Sequence, residues 1–153
     1  MIVFSSCSFA QTPLSSLSNS FYSKAESLPR DEDECSVLVV DDAPDITLML
    51  ACFLEKAGYR VRPVFSAGEA LDAVRNEHFD VIISDIGLPG MDGYGLAKEL
   101  RALRDYRSTP LIALTGFTEY SDQRTAFDAG FDAHLTKPVD PTKLIELMGQ
   151  LGC

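Results

Sequence analysis

Five short apolar runs alternate with amphipathic segments from Ser36 to the end of the chain, and this alternation constrains the fold more than any other feature of the sequence. The runs lie at residues 37–40, 59–65, 80–84, 109–115 and 131–136. Each is bounded by turn-forming residues and is too short for a typical helix, so each is predicted as a strand. The amphipathic segments between them predict helices, and Pro63 places the second strand near an edge of the sheet. Repeated strand–helix units are typical of a parallel sheet with helices on both faces, so we predict one α/β domain.

Local signals mark the ends of several predicted helices. Pro44 and Pro141 stand where helices should begin, because a residue in the first turn needs no backbone N–H to continue the helix. Ser66 followed by Glu69 is the pattern of a capping box. Gly58 follows the first amphipathic segment and can close that helix with a positive φ.

Composition excludes several classes of protein. The formal charge of −10, from 23 acidic and 13 basic residues, argues against direct nucleic-acid binding and favours cation binding. No apolar run is long enough for a membrane span, and the N-terminus lacks the pattern of a signal peptide, so we expect a cytoplasmic protein without membrane association. The cysteines lie far apart and form no Cys-x-x-Cys pair, so we expect free thiols in a reducing compartment. They are Cys7, Cys35, Cys52 and Cys153.

Residues 1–34 differ from the rest of the chain in composition and in hydrophobic periodicity. They are rich in serine, end in an acidic run and show no sustained helical or strand periodicity. We interpret them as a flexible leader or linker, followed by a folded domain at residues 35–153. The alternative is a docking segment that uses its aromatic residues, which are Phe4, Phe9, Phe21 and Tyr22.

Chemically active residues follow four of the predicted strands. They are Asp41 and Asp42, then Asp85, then Thr115, then Lys137. Because the carboxyl ends of parallel strands share one edge of a sheet, we expect these side chains to meet. Three neighbouring carboxylates repel one another unless a cation lies between them, and Mg²⁺ prefers oxygen ligands. An ammonium group and a hydroxyl beside such an ion suit an anion that arrives with it, most simply a phosphoryl group.

Residues 36–153 resemble the receiver domain of response regulators in two-component and phosphorelay signalling. The resemblance lies in the order of the whole set: Asp41-Asp42, Asp85 with Pro89-Gly90-Met91-Asp92-Gly93, Thr115-Gly116 and Lys137-Pro138. It implies a flavodoxin-like (βα)₅ fold, which is a doubly wound five-stranded parallel sheet with strand order 2-1-3-4-5.

The same resemblance implies a role for each site residue. Asp85 would be the phosphoacceptor, and its carboxylate would act as a nucleophile toward phosphorus. Asp42 and Asp85 would bind Mg²⁺ directly together with the backbone carbonyl of Gly87, and Asp41 would act through water. Lys137 would pair with a phosphoryl oxygen.

The remaining implied roles concern access and switching. Thr115 would hydrogen-bond the phosphoryl group and move toward it on activation, while Gly116 leaves room for that group to enter. The aromatic switch position of the family is held here by His134, whose charge would make the switch mildly pH dependent. The alternative for His134 is a half-buried residue that only packs in the core. Phe117 would hinder the hydrolytic water. The bond between Lys137 and Pro138 is expected to be cis.

The resemblance therefore implies a signalling switch rather than a dedicated enzyme. A sensor histidine kinase or a histidine phosphotransfer protein would donate the phosphoryl group, and a downstream protein would bind the face made by the fourth helix, fifth strand and fifth helix. Two alternatives remain open. A phosphorylation-independent scaffold is one, and the other is an Asp-nucleophile phosphatase, which is disfavoured because Gly87 stands where such enzymes carry a second acid. The sequence also leaves open whether the chain acts alone or as the receiver part of a hybrid kinase.

Overall fold

The computed structural model describes residues 34–116 and 120–153, and the domain in it is built on a five-stranded parallel sheet. The strands are Ser36–Val40 (β1), Arg60–Val64 (β2), Val81–Asp85 (β3), Leu111–Thr115 (β4) and Ala133–Thr136 (β5). Their order is β2-β1-β3-β4-β5, and all four pairings are parallel. The predicted α/β fold with strand order 2-1-3-4-5 is therefore confirmed, including the position of the second strand at an edge.

Within the described ranges, five helices cover the two faces of this sheet. They are Pro44–Lys56 (α1), Ala67–Asn76 (α2), Gly93–Ala102 (α3), Tyr120–Ala129 (α4) and Pro141–Gln150 (α5), with a 3₁₀ turn at Arg104–Tyr106. Helices α1 and α5 pack on one face, where Leu54 and Leu144 meet Ile83 in one buried cluster. Helices α2, α3 and α4 pack on the other face, where Leu96 and Ile82 belong to a second cluster. The central strands are buried on both sides, which explains why they appear in the sequence as continuous apolar runs.

The predicted helix-end signals are present, with one difference in detail. The Ser66 hydroxyl accepts a hydrogen bond from the backbone N–H of Glu69 at 3.1 Å. The Glu69 carboxylate accepts in turn from the backbone N–H of Phe65 at 2.8 Å, one residue earlier than in the usual capping box. Gly58 has a φ of 101°, as expected for the residue that ends α1.

The structure corrects the expectation of free thiols. Cys35 and Cys153 are joined by a disulfide, with their Cα atoms 6.0 Å apart, and both pack against the same core cluster. They are 118 positions apart in the sequence, and they meet because β1 begins where α5 ends. Cys52 is not a free thiol either, and Cys7 lies outside the described residues. The argument for a reducing compartment therefore loses its basis.

Arg101 stabilises the edge of the sheet at which the strands begin. Its guanidinium donates hydrogen bonds to the backbone carbonyls of Tyr106, Thr109 and Gly130 at 2.7, 2.8 and 2.7 Å. It also pairs with the Asp132 carboxylate at 2.8 Å, and the same oxygen of Asp132 accepts from the backbone N–H that opens β4. One side chain of α3 thus holds the 3₁₀ turn and the starts of β4 and β5 in place.

The described helices are short. Among the described residues the longest helix is α1, with 13 residues, and none is long and apolar enough to cross a membrane.

Candidate functional site

Three carboxylates gather at the edge of the sheet where the strands end. Asp41 and Asp42 follow β1, and Asp85 is the last residue of β3. One oxygen from each of these side chains lies within 4.8 Å of the others. Asp41 and Asp85 are buried, at 1% and 7% exposure, whereas Asp42 is exposed. The site therefore has an open side at Asp42 and a closed side at Asp41.

Lys137 bridges the two buried carboxylates. Its Nζ atom lies 3.0 Å from Asp41 Oδ2 and 3.1 Å from Asp85 Oδ2. Burial alone lowers the pKa of Lys137, but hydrogen bonds and charge attraction from both carboxylates outweigh this, so its pKa lies above the ordinary value. Because the folded pKa is raised, the stabilisation from this pairing is present in full throughout the neutral range. It is lost only in strongly alkaline solution, as the pH rises through the folded pKa.

Two local contacts position Asp41. Its Oδ1 atom accepts a hydrogen bond from the backbone N–H of Ala43 at 3.0 Å. Its backbone carbonyl accepts from the Thr47 hydroxyl at 2.8 Å, and that hydroxyl also lies 2.8 Å from the carbonyl of Ala43. Thr47 is completely buried and was not identified from the sequence. Its signal was a hydroxyl on the apolar face of α1, three residues before Leu50 and seven before Leu54.

We expect Thr47→Val to destabilise the domain by about 1 to 2 kcal/mol, because it keeps the side-chain shape but leaves the Asp41 carbonyl without its buried donor. Urea unfolding at equilibrium measures this change. Thr47→Ser is the matched control, since it keeps the hydroxyl and removes one methyl group. If valine is tolerated as well as serine, the hydroxyl does not stabilise the loop that carries Asp41.

The two carboxylate oxygens of Asp85, at the end of β3, contact different groups. Its Oδ1 atom accepts from the backbone N–H of Gly87 at 3.2 Å, and its Oδ2 atom faces Lys137. Gly87 is exposed on the loop that follows. The structure thus places the Gly87 backbone N–H beside the Asp85 carboxylate, and the role of the Gly87 carbonyl stays a prediction.

Gly93 makes the closest approach in the loop after Asp85. Its backbone N–H donates to the carbonyl of Ile86 at 2.9 Å, and it is buried. A Cβ atom at this position would lie 2.5 Å from the backbone oxygen of Asp85 and 2.6 Å from the Cα of Ile86. The sequence identified residues 89–93 as shaping this loop, but it did not show that Gly93 packs directly on the backbone of Asp85.

Thr115 and Gly116 complete the same edge from β4. Thr115 is buried at the strand end, and its carbonyl accepts from the backbone N–H of Lys137 at 2.7 Å. Gly116 is exposed, and a Cβ atom there would meet nothing within 4 Å. The peptide bond between Lys137 and Pro138 is cis, as predicted. Phe117 lies outside the described residues.

His134 lies on β5, away from the acidic cluster. It pairs in register with Ala113, two positions before Thr115 on the neighbouring strand. Its ring is half-buried and stands edge-on to the ring of Phe127 in α4, with a distance of 6.3 Å between centroids. Phe127 was not identified from the sequence, and more than half of it is exposed, at 52%. The pair thus links β5 to the exposed surface of α4.

Comparisons with known proteins agree with this arrangement. Residues 37–148 match the family model of the response regulator receiver domain. The chain is 39% identical over 117 residues to an uncharacterized 14.6 kDa protein of Leptolyngbya boryana, covering 76% of this chain and 89% of that protein. It is 35% identical over 115 residues to the sensor protein GacS of Pseudomonas syringae, covering 73% of this chain but only 13% of GacS.

Solved structures show the same fold. The chemotaxis response regulator CheY4 of Vibrio cholerae superposes with a TM-score of 0.74 at 33% identity, covering 77% of this chain and 98% of that one. The receiver domain of the sensor histidine kinase PA1611 from Pseudomonas aeruginosa, which has a magnesium ion coordinated in its active site cleft, superposes with a TM-score of 0.72 at 30% identity. That match covers 78% of this chain and 99% of that one. This chain therefore belongs to the response regulator receiver domain family.

Proposed function

We propose that this receiver domain is a phosphorylation-dependent switch, in which Asp85 accepts a phosphoryl group from a phosphohistidine in the presence of Mg²⁺. The observation that carries the proposal is the bridge from Lys137 to Asp41 and Asp85, beside an exposed third carboxylate on Asp42. This arrangement combines a nucleophile, a fixed cation and ligands for a metal ion in one open site.

The donor atoms fit Mg²⁺. All three side chains offer carboxylate oxygens, which are the ligands that this ion prefers. Asp42 and Asp85 would bind it directly with the carbonyl of Gly87, while Asp41, buried and already paired with Lys137, would act through water. Bound there, Mg²⁺ neutralises negative charge on the oxygens of the transferring group.

The residues of the chain divide the remaining chemistry among them. A carboxylate oxygen of Asp85 attacks phosphorus, the phosphorus–nitrogen bond of the donor breaks, and the imidazole leaves with the bonding electrons and takes up a proton. Lys137 exchanges its contact with Asp85 for a contact with a phosphoryl oxygen. The Thr115 hydroxyl donates a hydrogen bond to a second phosphoryl oxygen. The open space beside Gly116 admits the phosphoryl group.

The readout of the switch would be the face formed by α4, β5 and α5. Thr115 moves toward the phosphoryl group, His134 changes its position on the neighbouring strand, and its contact with Phe127 transmits that change to the surface of α4. The donor would be a sensor histidine kinase or a histidine phosphotransfer protein, and a downstream protein would bind the altered face. A cytoplasmic location stays a prediction from the sequence.

Mass spectrometry after incubation with acetyl phosphate tests this function. We expect the wild-type chain to gain the mass of one phosphoryl group when Mg²⁺ is present and to gain none when EDTA is added. A chain that gains no mass with Mg²⁺ is not such a switch. Partner affinity measured with and without phosphorylation then separates the switch from a scaffold that needs no modification.

We expect Asp42→Asn to weaken Mg²⁺ binding by at least about tenfold, because even supporting groups of a metal site contribute on this scale. Isothermal titration with MgCl₂ measures the affinity. Asp45→Asn is the matched control, since it removes the same charge from an exposed position in the first turn of α1. Equal losses in the two variants would mean that Asp42 acts only through long-range charge and is not a ligand.

A further inference from the structure

An apolar groove runs between α1 and the loop that leads from β5 into α5. We call it the α1–α5 groove, and it is lined by Ile46, Met49, Phe53, Lys56, Val139 and Pro141, with a volume of 670 Å³. Met49 is 65% exposed although it lies in the middle of α1, and Ile46 and Phe53 on the same lining are exposed as well. Lys137 and Pro138 form the end of the groove nearest the acidic site.

The N-terminal leader joins the domain at the other end of this groove. Cys35 precedes β1, and its carbonyl accepts from the backbone N–H of Arg60 at 3.0 Å, just beyond the end of α1. Cys35 also packs in the core cluster that contains Leu54 of α1, and its disulfide fixes it to Cys153 after α5. Cys35 therefore lies near the C-terminal ends of both α1 and α5.

The leader has the length and the residues to cover the groove. α1 has 13 residues and is about 20 Å long at 1.5 Å per residue. The 12 residues between Tyr22 and Cys35 can span roughly 40 Å when extended, so Phe21 and Tyr22 can reach any point along the helix. We propose that residues 1–33, which lie outside the described residues, dock in the α1–α5 groove with Phe21 and Tyr22 as the side chains that fill it.

Tethering favours this occupant over another molecule. A segment tethered a short distance away has an effective concentration in the millimolar range, so even a modest apolar contact is populated. This inference goes beyond the proposed function and does not depend on it.

Methionine methyl NMR on the full chain tests the docking, with a soluble gadolinium chelate as the probe of exposure. Met49 is more exposed than Met91 in the structure, at 65% against 41%, and Met148 is buried. Without a docked leader the chelate must therefore broaden Met49 more than Met91. With the leader in the groove we expect the reverse order, and we expect the double variant Phe21→Ser/Tyr22→Ser to restore the order of the domain alone.

Two controls make the result decisive. Phe4→Ser/Phe9→Ser removes the same number of aromatic rings from the leader and should leave Met49 protected, while the Met148 signal reports in every variant that the domain is folded. Broadening of Met49 above Met91 in the wild type overturns the proposal, as does equal loss of protection in both double variants. Protection that disappears on dilution assigns the groove to a second copy of the chain and overturns it too. No phosphoryl donor is present, so these results are independent of phosphorylation.

Discussion

We expect the variant Asp85→Asn to gain no phosphoryl group from acetyl phosphate with Mg²⁺, where the wild type gains one. An amide is a far weaker nucleophile than a carboxylate, and it cannot carry the charge that pairs with both Lys137 and the metal ion. Asp41 keeps its contact with Lys137 at 3.0 Å, so the domain is expected to remain folded. Intact-mass measurement over time gives the extent of phosphorylation, and peptide mapping of the wild type locates it.

Asp92→Asn is the matched control for this experiment. Asp92 lies on the same loop, is exposed, and caps α3 by accepting from the backbone N–H of Gly95 at 2.8 Å. Asparagine is an equally good cap, so this variant should fold and accept a phosphoryl group as the wild type does. Phosphorylation that persists in Asp85→Asn, or that is lost equally in both variants, would remove Asp85 as the acceptor.

The second large effect is expected from Gly93→Ala. The added methyl group would lie 2.5 Å from the backbone oxygen of Asp85 and 2.6 Å from the Cα of Ile86, and backbone atoms cannot move aside as a flexible side chain can. Overpacking of this kind typically costs about 1 to 3 kcal/mol. The strain falls on the peptide that carries Asp85, so the rate of phosphorylation should decrease together with the free energy of unfolding.

Gly95→Ala provides the comparison within the same helix. Its Cβ would meet only the Met91 side chain closely, at 3.0 Å, and this side chain can rotate away. Alanine is favoured over glycine in helices by up to about 1 kcal/mol, so Gly95→Ala should be neutral or stabilising. Urea unfolding and acetyl phosphate kinetics on both variants check the contrast. If the two variants behave alike, the close approach of Gly93 to β3 does not constrain the site.

The sheet was predictable because β1, β3 and β4 contain continuous apolar runs with flanking turn residues, and because parallel strands end at one edge. Asp41, Asp85 and Lys137 could be placed together on that ground alone, before any contact was known. The resemblance supplied the strand order, which no local pattern in the sequence contains.

Other contacts could not be predicted because they depend on atoms that meet only in three dimensions. The disulfide between Cys35 and Cys153 joins the two ends of the domain, and no spacing rule connects them. In the sequence Thr47 looks like an ordinary polar residue of a helix. Only the structure shows that its hydroxyl donates a hydrogen bond to the carbonyl of Asp41. Arg101 likewise reads as a solvated residue of α3, although it donates to three backbone carbonyls.

Different kinds of contact stabilise the two edges of the sheet. At the edge where the strands begin, one side chain joins the 3₁₀ turn to the starts of β4 and β5 through contacts with backbone carbonyls and Asp132, and none of these partners is a site residue. At the edge where the strands end, Lys137 links the strands through two carboxylates, and such a link changes as soon as a new charge arrives. If Asp85 at the end of β3 is phosphorylated as proposed, we expect the neighbouring ends of β4 and β5 to move while Arg101 keeps the starts of these two strands in place.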